Sequence, residues 1–306
     1  MAKVLTPLFI AGPTASGKSA LALALAEKFG GEIITADSMQ VYRGLDIGTA
    51  KPAAAERARV PHHLLDVCDL HENFDAAQFV RLAQSSVAEI QSRGNLPIFC
   101  GGTGLYFKAF IVGLGEAPAS DTALRAELEA QSLATLLAEL ETSDPATFAA
   151  IDKQNPRRVV RAIEVIRLTG KPFSAQRADW QPAAVDPALA ARYFCLKREP
   201  ADLHARINVR VDEMFQRGLV AETEHLLAHG LAENRTALQA IGYRQVVEHL
   251  RGERSLTETV ELVKIRTRQF AKRQFTWFRA QPYINWLELK TDEPVASVWQ
   301  RMRAIL

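Results

Sequence analysis

Residues 7–31 read PLFIAGPTASGKSALALALAEKFGG, and the fold follows from this stretch. The apolar run at 7–11 has the length of a buried strand, and residues 19–29 have the spacing of a helix stopped by Gly30-Gly31. Between them stand Gly12, Pro13, Thr14, Ala15, Ser16, Gly17, Lys18 and Ser19, a full match to G-x-x-x-x-G-K-[ST]. Strand before and helix after is the context that motif requires. The spacing has a chemical reason. Backbone N–H groups of a glycine-permitted loop converge on phosphate oxygens, the helix N-terminus adds partial positive charge, and the lysine supplies a point charge. The Ser19 hydroxyl is suited to Mg²⁺, a cation that takes oxygen ligands. The loop therefore predicts binding of a phosphorylated ligand, ATP among the candidates.

Working outward, EIITA at 32–36 and HLLDV at 63–67 read as further strands. A helical segment at 74–92 feeds LPIFC at 96–100. Strands that are apolar throughout, alternating with helices, indicate a parallel sheet covered on both faces. From 116 to 189 the strand-like runs disappear in favour of Ala, Leu, Glu and Arg, with turns at Asp144-Pro145, Asn155-Pro156 and Gly170-Lys171-Pro172. YFCLK at 193–197 is one more strand, and helices follow near 201–217, 219–229, 239–250 and 256–279. The expected architecture is α/β: a phosphate-loop parallel-sheet core of residues 1–115 and 190–306, holding an all-helical insertion at 116–189. A length of 306 residues fits this, since domains average roughly 150 residues.

With 48% apolar and 24% charged residues, the composition is that of a globular protein. The longest unbroken apolar run, residues 20–26, is too short to span a membrane. Lys3 ahead of an apolar stretch imitates a secretion signal, but the Lys18 loop interrupts that stretch, so no signal is expected. Three widely spaced cysteines offer neither a disulfide framework nor a metal pair, which suits a reducing cytoplasm. Net charge is only +2, from 37 basic and 35 acidic residues. Its distribution is uneven, however. Residues 153–177 carry seven basic side chains (Lys153, Arg157, Arg158, Arg161, Arg167, Lys171, Arg177) against the single acid Glu164. Residues 262–280 carry six (Lys264, Arg266, Arg268, Lys272, Arg273, Arg279) and no acid. Two such segments form a footprint for a polyanion.

A phosphate-loop NTPase usually places an Asp at the end of a later strand to help hold Mg²⁺. Here the strand at 96–100 runs into Cys-Gly-Gly-Thr, and the nearest acid is Asp37, just after the second strand. Carboxyl ends of such strands line the ligand crevice, so Asp37 is expected to face the loop. By residue type it is a metal ligand, a general base or a turn cap. His62, His63 and Cys100 read as structural residues.

The segment DSMQVYRGLDIGTAKP at 37–52 is distinctive. Together with GPTASGKS it resembles the tRNA dimethylallyltransferase family, in its bacterial form. Gly101-Gly-Thr-Gly-Leu-Tyr106, Asn155-Pro-Arg-Arg-Val-Val-Arg161, Arg206-Ile-Asn-Val-Arg210, Ala240-Ile-Gly-Tyr-Arg244 and RQFAKRQFTWF at 268–278 carry the same resemblance in the same order. No Cys or His follows His249, unlike eukaryotic members with a C-terminal zinc finger.

The resemblance implies transfer of a dimethylallyl group from dimethylallyl diphosphate to N6 of the adenosine 3′-adjacent to the anticodon, with Mg²⁺ as cofactor. The phosphate loop then takes a diphosphate leaving group rather than the end of ATP. Lys18, Mg²⁺ at Ser19, and Arg210 stabilise the charge on that group, Thr103 reaches the bridging oxygen and the tRNA, and Asp37 removes the N6 proton. By the same resemblance, Asp37, Ser38, Met39 and Gln40 grip the extruded adenine and its neighbours. The anticodon stem-loop is contacted by Thr103, Arg125, Arg157, Arg158, Val159, Val160, Arg161, Gln239, Ala240, Ile241, Gly242, Tyr243 and Arg244. Of the basic residues at 262–280, Lys264, Arg268 and Lys272 are the expected RNA contacts, and most of the aromatics in that segment are expected to be core. The enzyme is expected to be a cytoplasmic monomer with no membrane partner.

Three other readings share parts of this pattern. An adenylate isopentenyltransferase has the same core but no use for an arginine-rich helical insertion. A nucleotide kinase would turn over ATP. A non-catalytic RNA-binding module would not need Lys18, Ser19, Asp37 and Thr103 together.

Overall fold

A computed structural model describes residues 5–176, 185–291 and 293–306, so that Lys3 and Arg177 lie outside the described residues. Its centre is a six-stranded sheet: β1 (Leu8–Ala11), β2 (Gly31–Ala36), β3 (His62–His63), β4 (Leu96–Gly101), β5 (Tyr193–Lys197) and β6 (Asn285–Glu288). Every pairing is parallel and the order is β3-β2-β4-β1-β5-β6. All residues of β1, β2 and β4 are buried. Covered on both faces, these strands have no reason to alternate in polarity.

Helix α1 (Lys18–Phe29) and the last helix, α15 (Val295–Arg303), contribute to one apolar layer with Leu8, Ile10, Ile98 and Leu196. Helices α3 (Ala76–Ser92) and α4 (Gly104–Val112) contribute to the other, around Phe9, Phe99, Phe107 and Tyr193. There the Phe9 and Phe99 rings stack at 4.9 Å, and those of Phe107 and Tyr193 at 5.3 Å. Each such ring taken from water is worth about 1.5–3 kcal/mol, so this layer is a main source of the core's stability. Asp75 starts α3 by accepting the Gln78 amide, while the Gln78 side chain accepts the Asp75 amide. That reciprocal cap makes the turn from loop to helix sharp.

The sheet differs from expectation in two places. The third strand spans only His62–His63, not 63–67. Leu64 and Asp66 take positive φ (61° and 55°), which ends an extended chain. Asp66 holds that conformation by pairing with Lys51 and Arg57. The sequence reading also passed over α2 (Ala54–Arg59), β6 and α15. In β6 only Leu287 is buried, so its four residues show no period that marks a strand.

The chain divides into two compact units, Met1–Ile111 with Pro182–Leu306, and Val112–Gln181. The second therefore begins and ends earlier than the expected 116–189. Just ahead of β5, the carbonyls of Ala190 and Ala191 accept from the Asn285 side-chain amide at the start of β6. The smaller unit contains α5 (Thr122–Glu129), α6 (Leu133–Ser143), α7 (Pro145–Ala150), α8 (Pro156–Thr169) and α9 (Phe173–Gln176). Its own core includes Leu128, Leu136, Leu140, Val159, Val160 and Ile163. Among the described residues no helix is long and apolar enough to cross a membrane.

Candidate active site at the carboxyl ends of the strands

Residues 12–19 leave β1 and enter α1. Gly17 caps α1 with φ 97° and no side-chain hydrogen bond. Glycine takes that left-handed turn without steric cost, and the first amides of the helix are left for another acceptor. The loops after β2 and β4 end at the same edge of the sheet. So does α11 (Pro200–Gln216), which brings up Arg210. Together they enclose a cavity of about 290 Å³ lined by Thr14, Lys18, Ser19, Asp37, Thr103 and Arg210, among others. The loop, the acid, the threonine and the arginine singled out from sequence thus share one cavity.

Asp37 is both a turn cap and a cavity residue. Its Oδ1 accepts the Met39 amide at 2.9 Å and the Gln40 amide at 3.4 Å. The carboxylate is thereby held in one orientation. Thr103 Oγ1 accepts the Ser38 amide at 3.0 Å, tying the β4 loop to the β2 loop. Arg210 reaches Thr14 Oγ1 at 3.4 Å. Burial lowers the pKa of Lys18, and Arg210 acts in the same direction while Asp37 opposes it. Burial also pushes the Cys100 thiol up to about 11, so this cavity residue is a neutral thiol at pH 7 rather than a nucleophile.

Helix α14 (Leu256–Arg279) closes a further wall with Val263, Thr267, Phe270, Arg273 and Gln274. Gln274 is nearly buried: its Oε1 accepts the Thr14 amide at 2.8 Å and its Nε2 donates to Gly102 O at 3.0 Å. The Gly102–Gly104 segment accommodates this packing. A Cβ on Gly104 would overlap the Trp277 ring, so the helix approaches only because glycine is there. The loop at 47–50 is fixed from two sides. Gln40 Nε2 donates to Thr49 O at 2.9 Å, and Glu222 of α12 (Leu219–Leu227) accepts the Ile47 and Gly48 amides at 3.0 and 3.4 Å.

The residues expected to meet RNA separate by environment. Ser38, Met39, Gln40, Gln239, Ala240 and Ile241 line the cavity. Gly242 opens α13 (Tyr243–Leu250), and Arg244 is exposed, touching Gln239 and Glu248. Tyr243 is fully buried, its hydroxyl donating to Glu222 and accepting the Gly48 amide. Its side chain therefore supports the loop at 47–50. In the helical unit, Arg157 and Arg158 are exposed. Val159 and Val160 of the same segment turn their side chains into the core of that unit. Arg161 and Arg125 both pair with the buried carboxylate of Glu164, at 2.7 and 2.8 Å, and Arg161 also donates to Pro118 O. These two arginines hold α8 to its neighbours.

On the basic face of α14, Lys272 is exposed while the other two expected contacts already have partners in the protein. Lys264 pairs with Asp212 and Glu261, and Arg268 donates to Asn208. Sequence reasoning missed the inner face of the same helix. Val263, Thr267, Phe270 and Gln274 are spaced by four, three and four, the interval of one helix face, and that pattern was available. His62, read as structural, lines the cavity as well, with Nδ1 bonded to Val60 O at 2.8 Å.

The family described as IPP transferase matches residues 40–281. The chain is 49% identical to tRNA dimethylallyltransferase 1 of Trichlorobacter lovleyi, covering 92% of each chain. It is 48% identical to the tRNA dimethylallyltransferase of Geobacter sulfurreducens, covering 92% of this chain and 91% of that one. Among solved structures, the full-length tRNA isopentenylpyrophosphate transferase of Bacillus halodurans is 38% identical with a TM-score of 0.71, over 99% of this chain and 96% of that one. A eukaryotic dimethylallyltransferase described as acting on tRNA is 28% identical with a TM-score of 0.78, over 98% of this chain and 78% of that one. A family model matched over residues 40–281, and relatives 48–49% identical over about nine-tenths of both chains, show that the chain belongs to the IPP transferase family.

Proposed function

We propose that this enzyme transfers a dimethylallyl group from dimethylallyl diphosphate to N6 of the adenosine 3′-adjacent to the anticodon in tRNA, releasing diphosphate. The observation that carries the reading is the single cavity lined by Lys18, Ser19, Asp37, Thr103 and Arg210. The names of the relatives support the choice of substrates. Adenine N6 is a poor nucleophile because its lone pair is delocalised into the ring, so the base must leave its stack and be held against the allylic carbon. The N6–C bond forms as the allylic C–O bond breaks, with that electron pair leaving on the diphosphate. Asp37, oriented by the Met39 and Gln40 amides, takes the N6 proton. Lys18, Arg210 and the loop amides face the charge that develops on the leaving group.

Ser19 lines the same cavity and its hydroxyl oxygen is the kind of hard donor that Mg²⁺ favours, so the site fits that cofactor. Bound there, it supplies additional positive charge to the diphosphate. In the helical unit, exposed Arg157 and Arg158 are suited to RNA phosphates.

The test is transfer from labelled dimethylallyl diphosphate, with Mg²⁺, to an anticodon stem-loop and separately to AMP. A free nucleotide forfeits the binding energy of every RNA contact outside the cavity. We expect kcat/KM to be at least about a thousandfold lower with AMP, equivalent to about 4 kcal/mol. Comparable efficiencies would transfer the assignment to an adenylate isopentenyltransferase.

A further inference from the structure

The phosphate loop is braced from outside the cavity by two arginines that no motif reading singled out as site residues. Arg198 directly follows β5, and its side chain is only 8% exposed. Its Nε donates to Ser16 O at 2.9 Å, while its Nη1 donates to Asp202 Oδ2 at 2.8 Å and to Lys290 O at 3.3 Å. Arg206, one turn before Arg210 on α11, donates from Nε to Ala15 O at 3.1 Å. Arg210 reaches the Thr14 hydroxyl at 3.4 Å. Three consecutive loop residues, 14, 15 and 16, are thus held by three arginines of one connected segment. Only Arg210 among them lines the cavity.

The backbone explains why a brace is needed. Ala15 has φ 62°, the left-handed region that a residue with a Cβ enters at a cost of roughly 1–2 kcal/mol. Its methyl is buried among Ile207, Val211, Val263 and Ala271, so the site uses alanine there rather than glycine. In a loop of this kind, carbonyls that turn outward leave the intervening amides turned inward. Cations on the carbonyls of Ala15 and Ser16 fix those two peptide planes, the first held also by the Ser16 amide donating to Pro13 O at 3.3 Å, and polarise the peptide group whose N–H end belongs to Gly17.

We propose that Arg198 and Arg206 are positioning residues for the phosphate loop. They fix the left-handed turn at Ala15 and pre-set the loop amides for the diphosphate, and Asp202 orients Arg198 for that task. The inference rests on the reading of residues 12–19 as the diphosphate site, and it names the residues that make the site competent before substrate arrives.

The experiment uses the full chain and titrates it with inorganic pyrophosphate in Mg²⁺ by calorimetry, alongside steady-state transfer. Arg198→Met should weaken pyrophosphate binding by about tenfold or more, as expected for a buried hydrogen bond from a charged donor. KM for dimethylallyl diphosphate should rise in parallel while KM for tRNA stays unchanged. Arg198→Lys should recover part of the loss. Asp202→Asn should weaken binding in the same direction and add little to Arg198→Met. Arg206 is exposed, so Arg206→Met tests the brace without threatening the fold. It should weaken binding by about threefold. In that background Ala15→Gly, which adopts the left-handed turn without strain, should restore affinity to within about twofold of wild type. Wild-type protein that fails to bind pyrophosphate would overturn the diphosphate reading itself. Wild-type binding that is matched by both arginine variants, or a loss in Arg206→Met that Ala15→Gly does not repair, would overturn the brace alone.

Discussion

Replacing Asp37 by Asn separates its two roles. The Asn side-chain oxygen can still accept the Met39 amide that Asp37 Oδ1 accepts at 2.9 Å. The turn at 37–40 should therefore survive, with thermal stability within about 0.5 kcal/mol of wild type. What disappears is the proton acceptor. General-base assistance is worth about 10²–10⁴-fold, or about 2.7–5.4 kcal/mol of barrier. Asp37→Ala should lose that and also the turn cap, at a further cost of about 1 kcal/mol in stability. The assay is single-turnover transfer of labelled dimethylallyl groups with saturating anticodon stem-loop, paired with pyrophosphate titration and thermal melting. We expect the Asn variant to bind pyrophosphate within severalfold of wild type and to melt with it, but to transfer slowly. A transfer rate within tenfold of wild type would remove Asp37 as the base and leave it a turn cap.

Glu164→Ala should destabilise the protein by about 1–3 kcal/mol, because partly exposed Arg125 and Arg161 and the Ser120 hydroxyl would lose their shared acceptor. Burial alone would raise the pKa of Glu164, but hydrogen bonds from Ser120 and Arg161 and the charge of Arg125 outweigh it and the net shift is downward. Its contribution is therefore fully present above the unfolded carboxyl pKa of about 4.3 and is lost as pH falls toward the lower folded value. Urea unfolding at pH 7 and pH 4 checks both statements, and a loss under about 1 kcal/mol at pH 7 would refute the buried-pair reading. Neutralising the exposed pair, Arg157→Gln with Arg158→Gln, should leave stability unchanged and flatten the salt dependence of tRNA binding by about 0.7 in log–log slope per lost contact. An unchanged slope would exclude both arginines from the RNA interface.

Much of the core was legible because its determinants are local. β1, the glycine-bounded loop and α1 lie within 8–29, and their apolar run, turn residues and helix spacing need no distant partner. The same holds for the cap of α3 and the buried runs of β4 and β5. Reading failed where conformation depends on remote contacts. The strand expected at 63–67 is cut short by Leu64 and Asp66, and Asp66 is held by Lys51 of the preceding loop and Arg57 of α2. β6 is a four-residue edge strand whose partner, β5, lies some ninety positions upstream and is joined through Phe194↔Asn285 and Lys197↔Glu288.

By itself the sequence determined the sheet class, the phosphate loop, the helical insertion and the family, since runs, spacings and contiguous motifs carry that information in order along the chain. Which charged residues serve the site was decided only by the tertiary structure. Arg161 looks like its neighbours Arg157 and Arg158, yet it is consumed by Glu164 and Pro118, while they remain exposed. Lys264 is neutralised by Asp212 and Glu261, Arg273 on the same helix lines the cavity, and Arg198 grips the phosphate loop from 182 positions away. A charge acts over a few ångströms and is indifferent to chain separation, so its role is set by what the fold brings beside it.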